Sequence, residues 1–306
     1  MIFKRDKFKK LNGCFYILAS RQSILKSIDS FFNNYKYSRE YPLFVFYFDD
    51  PYKDDFKNNL TKKYTNISFC ELEYKVPTHV KESKLFYNQK YIPYAQNSFS
   101  KKRMGFLHMC NFFFNIIDNP IINGFDFALR WDDDGLFNKK IKDDYFSVLK
   151  KSELSALTGK LNIQSQVHHF ETRVFLFDTY IAYLKKYNII PKCDLLKNVL
   201  KNIENNETRF IGEYLFHQIQ HMTDFNIYNL NIFKNKNWEN WSNHINQSGG
   251  IYKYRWGENE LITLFIRTHY SNAIEDLNLW TLYYDPKGAD SNYAPNINLD
   301  VDVNLE

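Results

Sequence analysis

An apolar run at residues 15–19 (Phe-Tyr-Ile-Leu-Ala), an amphipathic stretch at 23–35 and a second apolar run at 42–48 (Pro-Leu-Phe-Val-Phe-Tyr-Phe) constrain the fold more than any other feature of the chain. In the middle stretch Ile24, Ile28, Phe31 and Phe32 recur at helical spacing and share one face. Strand, helix and strand in that order open a βαβ unit with a parallel sheet. The ligand site of such a sheet lies beyond the carboxyl ends of its strands. Arg21, Asp50 and the acidic triplet Asp132-Asp133-Asp134 are expected to gather there.

The triplet closes the sequence Arg130-Trp131-Asp132-Asp133-Asp134, directly after the apolar, aromatic run at 124–129. Hard divalent cations such as Mn²⁺ and Mg²⁺ prefer carboxylate oxygen and tolerate several remaining waters. A nucleotide diphosphate can complete the shell. A solvated acidic turn is the plainer reading of an isolated Asp triplet, so context has to decide.

At 306 residues the chain is long enough for one large body or two joined ones. Its formal charge of +5 is modest, and Lys and Asp/Glu are interspersed along it, which argues against nucleic acid as the main partner. Aromatic residues make up 18%, alongside heavy use of Lys, Asn and Ile; this matches an AT-rich coding bias as well as any carbohydrate-stacking role. Cys14, Cys70, Cys110 and Cys193 have neither disulfide-framework nor zinc-ligand spacing, which fits free thiols in a reducing compartment. The charged first ten residues and the absence of a long uncharged apolar run predict neither leader nor membrane segment in this chain.

Further along, residues 81–102 read as a long polar loop and 103–117 as a helix with Met104, Leu107, Cys110 and Phe114 on its core face. Beyond the triplet, helices are predicted at 144–152, 172–187, 210–222, 238–245 and from 257 to 266, with a strand at 154–162. Gly249-Gly250 provides backbone freedom for a close turn or a ligand approach. His217 and His221 have the four-residue spacing of helical metal ligands but lack an accompanying acidic motif, and the adjacent His168-His169 fit a surface as well as an acceptor groove. Tyr254 and Trp256 are candidates for stacking on sugar, with core packing the ordinary role of such rings.

Motifs distributed in order from about Cys14 to about Asp285 resemble one family, the fungal-type α-1,2-mannosyltransferases of glycosyltransferase family 15. Ala19-Ser20-Arg21 and Phe48-Asp49-Asp50-Pro51 resemble its Val-Arg-Asn and Leu-Asn-Asp-Glu-Pro-Phe segments, and His108-Met109-Cys110-Asn111-Phe112 its Lys-Met-Cys-Arg-Phe helix. Phe125-Asp126 through Asp132 is similar to Tyr-Asp-Trp-Tyr-Trp-Arg-Val-Glu. Asp224-Phe225-Asn226-Ile227 is similar to Asn-Phe-Glu-Ile, and Gly249-Gly250 through Glu258 to Gly-Gly-Phe-Phe-Tyr-Glu-Arg-Trp-Gly-Asp.

The resemblance implies a GT-A-type α/β fold, a Rossmann-like mixed sheet flanked by helices in a single continuous body. Residues 14–160 would form the nucleotide-sugar-binding portion, 161–290 the acceptor-binding and catalytic portion, and 291–306 a flexible tail. It implies a nucleotide-sugar donor as co-substrate (GDP-mannose, with a UDP-sugar such as UDP-xylose as alternative), Mn²⁺ or Mg²⁺, and a glycan or glycoprotein acceptor. Asp132 falls on the family's metal-binding acid, with Asp134 a second candidate ligand and Asp285 a third, near the position of a metal-binding His. Arg21, Asp50, Arg130, Asp133 and Arg255 are the expected donor-contacting residues.

The departures bear on mechanism. The family's Glu beside the anomeric carbon is Asn226 here, and an amide cannot act as a carboxylate nucleophile. Asp224 precedes it by two residues, and Phe106 stands where the family has Tyr. A single displacement with inversion is the resulting expectation, with Glu258 as first candidate for the general base and Asp224 as second; a helix N-terminal acid is the structural alternative for Glu258. Two readings outside transfer chemistry remain open: a silent sugar-nucleotide or glycan-binding protein on the same fold, and a metal phosphohydrolase or nuclease built on the Asp cluster. A cytoplasmic setting, as of a virus-encoded chain acting in host cytosol, is the expectation for location.

Overall fold

The computed structural model describes residues 11–21, 23–48, 54–73, 75–81, 101–159, 173–221, 224–271, 274–277 and 284–285. Asp50, His168, His169 and most of the loop expected at 81–102 lie outside them, as do residues 291–306. In chain order the first half holds β1 (Gly13–Ala19), α1 (Ile24–Asn34), β2 (Leu43–Phe48), α2 (Asp54–Lys63), β3 (Ile67–Leu72), α3 (Thr78–Lys81), α4 (Lys101–Phe114), β4 (Phe127–Trp131), β5 (Leu136–Phe137), α5 (Tyr145–Ser152) and β6 (Ala156–Thr158). The second half holds α6 (Leu176–Tyr187), α7 (Asp194–Glu204), α8 (Arg209–Ile219), β7 (Phe225–Asn229), α9 (Lys236–Ser248), α10 (Gly250–Tyr254), α11 (Glu258–His269), β8 (Ile274–Asp276) and β9 (Tyr284–Asp285).

Seven strands form one mixed sheet in the order β3-β2-β1-β4-β7-β6-β8. The first four are mutually parallel, β7 is antiparallel to both β4 and β6, and β8 is parallel to β6. Strands from both expected portions, 14–160 and 161–290, thus share one sheet. The predicted βαβ opening is present: all seven residues of β1 are buried, which suits a strand covered on both faces.

Two apolar layers cover the sheet. On one side α1 contributes Ile24, Ile28, Phe31 and Phe32, the face expected from their spacing. Phe31 stacks on Trp131 at 4.4 Å between ring centroids, and the Trp131 indole N–H donates to Ser27 Oγ at 2.9 Å. These contacts fix the end of β4 where the acidic triplet begins. On the other side α4 packs Leu107, Cys110 and Phe114 into a larger layer shared with α6 to α11.

Several predicted bounds move. The strand expected at 154–162 is three residues long among the described positions, and the helix expected at 172–187 starts at Leu176. Helix α2 has Leu60 as its buried residue, so apolar period could not announce it; Asp54 and Asp55 in its first turn and Lys62 and Lys63 in its last complement the helix dipole. Helix α7 does carry a clear period in Leu196, Val199, Leu200 and Ile203. Gly249 closes α9 at φ 69°, in the left-handed region that glycine tolerates, and Gly250 opens α10 beneath the Trp256 ring.

Replacing Gly250 by Ala would set a Cβ 2.1 Å from Trp256 ring carbons, whereas a Cβ on Gly105 in α4 meets nothing within 4 Å. Gly250→Ala is therefore expected to lower stability by about 1–3 kcal/mol, as overpacking does. Gly105→Ala should raise it by about 0.5–1 kcal/mol through helix propensity. Urea midpoints are expected to move in opposite directions, and a shared direction would contradict the packing of Trp256 on Gly250.

Candidate active site

Strands β1 and β4 lie side by side and end together, so Ser20-Arg21 and the Asp132–Asp134 segment emerge at one edge of the sheet. The middle carboxylate joins the two chains. Asp133 Oδ2 accepts from Ser20 N at 2.6 Å, Ser20 Oγ at 2.9 Å and Arg21 N at 2.9 Å, while Oδ1 accepts from Arg21 Nη1 at 2.7 Å. Asp133 is buried and turned into the protein. Expected among the donor-contacting residues, it instead orients Arg21. Asp134 is buried as well, with Oδ2 2.7 Å from Arg21 Nη1, so this second candidate ligand also faces the guanidinium. The Arg21 side chain keeps nearly half of its surface open.

Arg130 is 2% exposed on β4. Its Nη2 lies 3.1 Å from Asp132 Oδ1, its Nη1 lies 3.2 Å from Glu258 Oε1, and its plane sits 3.4 Å from the Phe113 ring centroid. Glu258 is the first residue of α11 and 4% exposed, so it is both a helix N-terminal acid and the partner of a buried cation. Burial pushes the Cys110 thiol well up, with Glu258 adding to the effect, which sets Cys110 against the same carboxylate.

Across the sheet, Arg130 pairs in register with Asn226 and Trp131 with Phe225, and Asp132 N donates to Asp224 O at 3.0 Å. Asp224 therefore meets Asp132 where β4 ends and β7 begins. Burial raises the Asp132 carboxyl well above the ordinary carboxylate range, Asp224 adds the largest repulsion, Arg130 opposes it, and Asp134 and Asp133 add more. A third of the Asp132 side chain still reaches solvent. An open carboxylate crowded by others of like charge is relieved by a cation.

Asn226 is fully buried on the Arg130 side of the sheet, and neither its Nδ2 nor its Oδ1 has a hydrogen-bond partner among the described residues. Arg255 stands at φ 64° with its guanidinium 4.5 Å from the Phe106 ring centroid, bringing together two positions singled out from sequence. Asp285 pairs with Leu136 in the β5–β9 ladder, two residues from Asp134 in the chain. No three His, Cys, Asp or Glu side chains converge as a complete metal-binding group among the described residues. The donor set fits a metal held by Asp132 together with substrate phosphate oxygens and water, the manner in which Mg²⁺-type sites bind phosphates.

Other candidates resolve into structure. Trp256 is fully buried, donates from Nε1 to Val174 O at 2.9 Å and packs on Gly250, so it is unavailable to stack on sugar. Tyr254 is partly buried between Phe175 and Trp256. His217 lies in α8 against the buried Arg173, whereas His221 lies beyond the helix and bonds Thr263 Oγ1 and Tyr228 Oη at 2.7 and 3.1 Å. Burial, with Arg267 and Arg130, pushes His221 down to about 3, so it is neutral at ordinary pH. The two form no helical metal pair. Sequence reasoning named Arg130 but missed its second fork, on Glu258; it also missed Ser20, whose small hydroxyl directly after a buried strand was the available signal.

The arrangement can be set beside known proteins. The chain is 25% identical over 273 residues to the probable mannosyltransferase KTR3 of Saccharomyces cerevisiae, covering 83% of this chain and 61% of that protein's length. Among solved structures, the mannosyltransferase Ktr4p of S. cerevisiae in complex with GDP is similar at 17% identity and TM-score 0.69, over 86% of this chain and 68% of that one. The Mn/GDP form of core-mannan synthase A (CmsA/Ktr4) from Aspergillus fumigatus is similar at 14% identity and TM-score 0.66, over 88% and 73%. The GT-A-type fold expected from sequence is the one shared with these structures. The sequence also matches the family described as glycolipid 2-alpha-mannosyltransferase over residues 2–274. On that match the chain belongs to glycosyltransferase family 15, the glycolipid 2-alpha-mannosyltransferases.

Proposed function

We propose that the chain is a metal-dependent glycosyltransferase that moves mannose from GDP-mannose to a hydroxyl of a glycan or glycoprotein. The observation that carries this reading is the open, like-charge-crowded Asp132 carboxylate at the joint carboxyl ends of β1 and β4. The guanine nucleotide, rather than uracil, is supported by relatives whose structures hold GDP. Bound Mn²⁺ or Mg²⁺ supplies electrostatic stabilisation of the negative charge that gathers on a leaving diphosphate. Asp132 would hold it, while Arg21, whose side chain is half open and aimed by Asp133 and Asp134, would supply a fixed positive charge beside the phosphates.

Asn226 carries no negative charge, so a covalent glycosyl intermediate at this position is ruled out chemically. Without that nucleophile, the proposed route is a single displacement in which a carboxylate takes the acceptor proton and the product anomer is inverted. Geometry favours Asp224 over Glu258 for that task. Asp224 is only partly buried at the edge where the site opens, whereas Glu258 is shielded and bound to Arg130. Glu258 then acts as a positioning residue, holding Arg130 and through it Asp132.

GDP is expected to raise the melting temperature of the protein with Mn²⁺ and much less without it, by the ligand linkage worth about 2.7 kcal/mol at a hundredfold excess over Kd. Asp132→Asn should abolish the metal-dependent part. An equal GDP shift in D132N would remove Asp132 from the metal site, and a shift without any sugar transfer across an acceptor panel would identify a silent binding module.

For the chemical step, Asp224→Asn is expected to lower kcat by about 10²- to 10⁴-fold, the usual worth of a general base, while a Mn²⁺-dependent GDP shift persists, reduced because Asp224 no longer crowds Asp132. Glu258→Gln should instead lower stability and weaken nucleotide binding. The reverse pattern would make Glu258 the base. The product's one-bond anomeric C–H coupling reports configuration directly, and a retained linkage would eliminate the single displacement.

A further inference from the structure

Cations that look interspersed along the chain are gathered by the fold at the end of the sheet opposite the acidic cluster. Leu11 leads into β1, residues 35–42 join α1 to β2, and residues 138–144 join β5 to α5. Tyr35 and Ile141 form a parallel bridge, Lys36 N donates to Ile141 O at 3.0 Å, and Ile141 N donates to Asn34 O at 2.8 Å. Two adjoining grooves result, of about 580 and 310 Å³, which share Lys142. Leu11, Tyr37, Asp143, Asp144, Val148 and Lys151 line the first, where two lysines stand beside two aspartates; Lys36, Arg39 and Lys140 line the second, which has no acid in its lining. All five of these cations are exposed. Of the acids beside them, Asp144 accepts from Tyr41 Oη at 3.1 Å and Ser147 Oγ at 2.6 Å.

The concentration of charge is large. Residues 36–40 and 138–151 hold seven Lys or Arg against three Asp or Glu. The whole chain holds 40 against 35, so these nineteen residues carry four of its five excess positive charges.

We infer that this end docks the protein onto an anionic phospholipid surface. Six of the seven cations in the two segments are Lys, compact point charges suited to a diffuse layer of headgroups, whereas bidentate recognition of nucleic-acid phosphates and bases favours Arg. Apolar groups stand among them: Leu11, Tyr37 and the 36%-exposed Val148 in the first groove. Interfacial attachment draws on both contributions, electrostatic attraction to anionic lipid and burial of apolar side chains at the headgroup boundary. Asp132 lies at the far end of the seven-residue β1, roughly 20 Å away at strand rise. The acidic end is repelled by the same surface and faces away from it, open to a soluble donor.

The test is co-sedimentation of the full chain with vesicles of phosphatidylcholine alone or mixed with phosphatidylserine at low salt. Binding is expected to the mixed vesicles only and to weaken as salt rises. Each cation near the surface is worth about fivefold, so the K140E/K142E/K151E variant should lose about a hundredfold or more in partitioning. Its melting temperature and Mn²⁺-dependent GDP shift should match the parent, which separates a docking defect from a folding one and from failure of the catalytic reading. Absence of binding to phosphatidylserine vesicles, or undiminished binding by the variant, overturns the proposal. Displacement of the protein from vesicles by a single-stranded RNA oligonucleotide at equal charge concentration would overturn it in favour of nucleic acid.

Discussion

Burying a guanidinium inside a sheet is unfavourable unless its hydrogen-bonding edges and its faces are answered by the protein. Arg130 is answered by Asp132 on one fork, by Glu258 on the other and by the Phe113 ring against its plane. These partners come from the end of β4, the first residue of α11 and the core face of α4. Helix α11 can therefore meet the sheet in one orientation, the one that brings its N-terminal acid to the cation. Removing either carboxylate would leave the buried guanidinium with one acid partner, which ties the site to the packing around it.

That constraint separates the carboxylates into distinct tasks. Asp133 accepts four hydrogen bonds from Ser20 and Arg21 and acts as a clip between the segments that follow β1 and β4. Asp134 balances Arg21, and Glu258 balances Arg130. Asp132, shared with Arg130 and facing Asp224, keeps an open face. Five acids in one neighbourhood would repel one another in the absence of such sorting; two cations placed between them make the cluster tolerable while leaving part of Asp132 open to solvent. Asn226 belongs to the same arrangement, because a sixth carboxylate at its buried position would have to share Arg130.

The sequence made the sheet's beginning legible because β1, α1 and β2 are either buried on all sides or cleanly amphipathic, and both patterns survive without knowledge of the partner. The convergence of Arg21 with the Asp triplet followed from the rule that parallel strands present their carboxyl ends together. Helix α2 was illegible because one buried leucine leaves no period to detect, and β3 because its strand is only partly covered. Long-range pairing was also beyond reach. Nothing local to Glu258 tells that its partner lies 128 residues earlier, or that Trp256 fills the space over Gly250 in place of meeting a sugar. Which member of an acidic triplet faces outward is likewise decided by Ser20, more than a hundred residues away in the chain.

The antiparallel junction between β4 and β7 has a consequence for how this chain can diverge. Arg130 stands opposite Asn226 and Trp131 opposite Phe225, and neighbouring side chains on β7 point to opposite faces of the sheet. Insertion or loss of one residue within β7 would turn Phe225 or Ile227 toward Arg130 and bury Asn226 among the aromatic rings on the other side. Drift at this strand is thus confined to substitution at fixed length. An exchange between carboxylate and amide at position 226 alters the chemistry available there without disturbing the ladder, so a change of side chain is more accessible to this strand than a change of spacing.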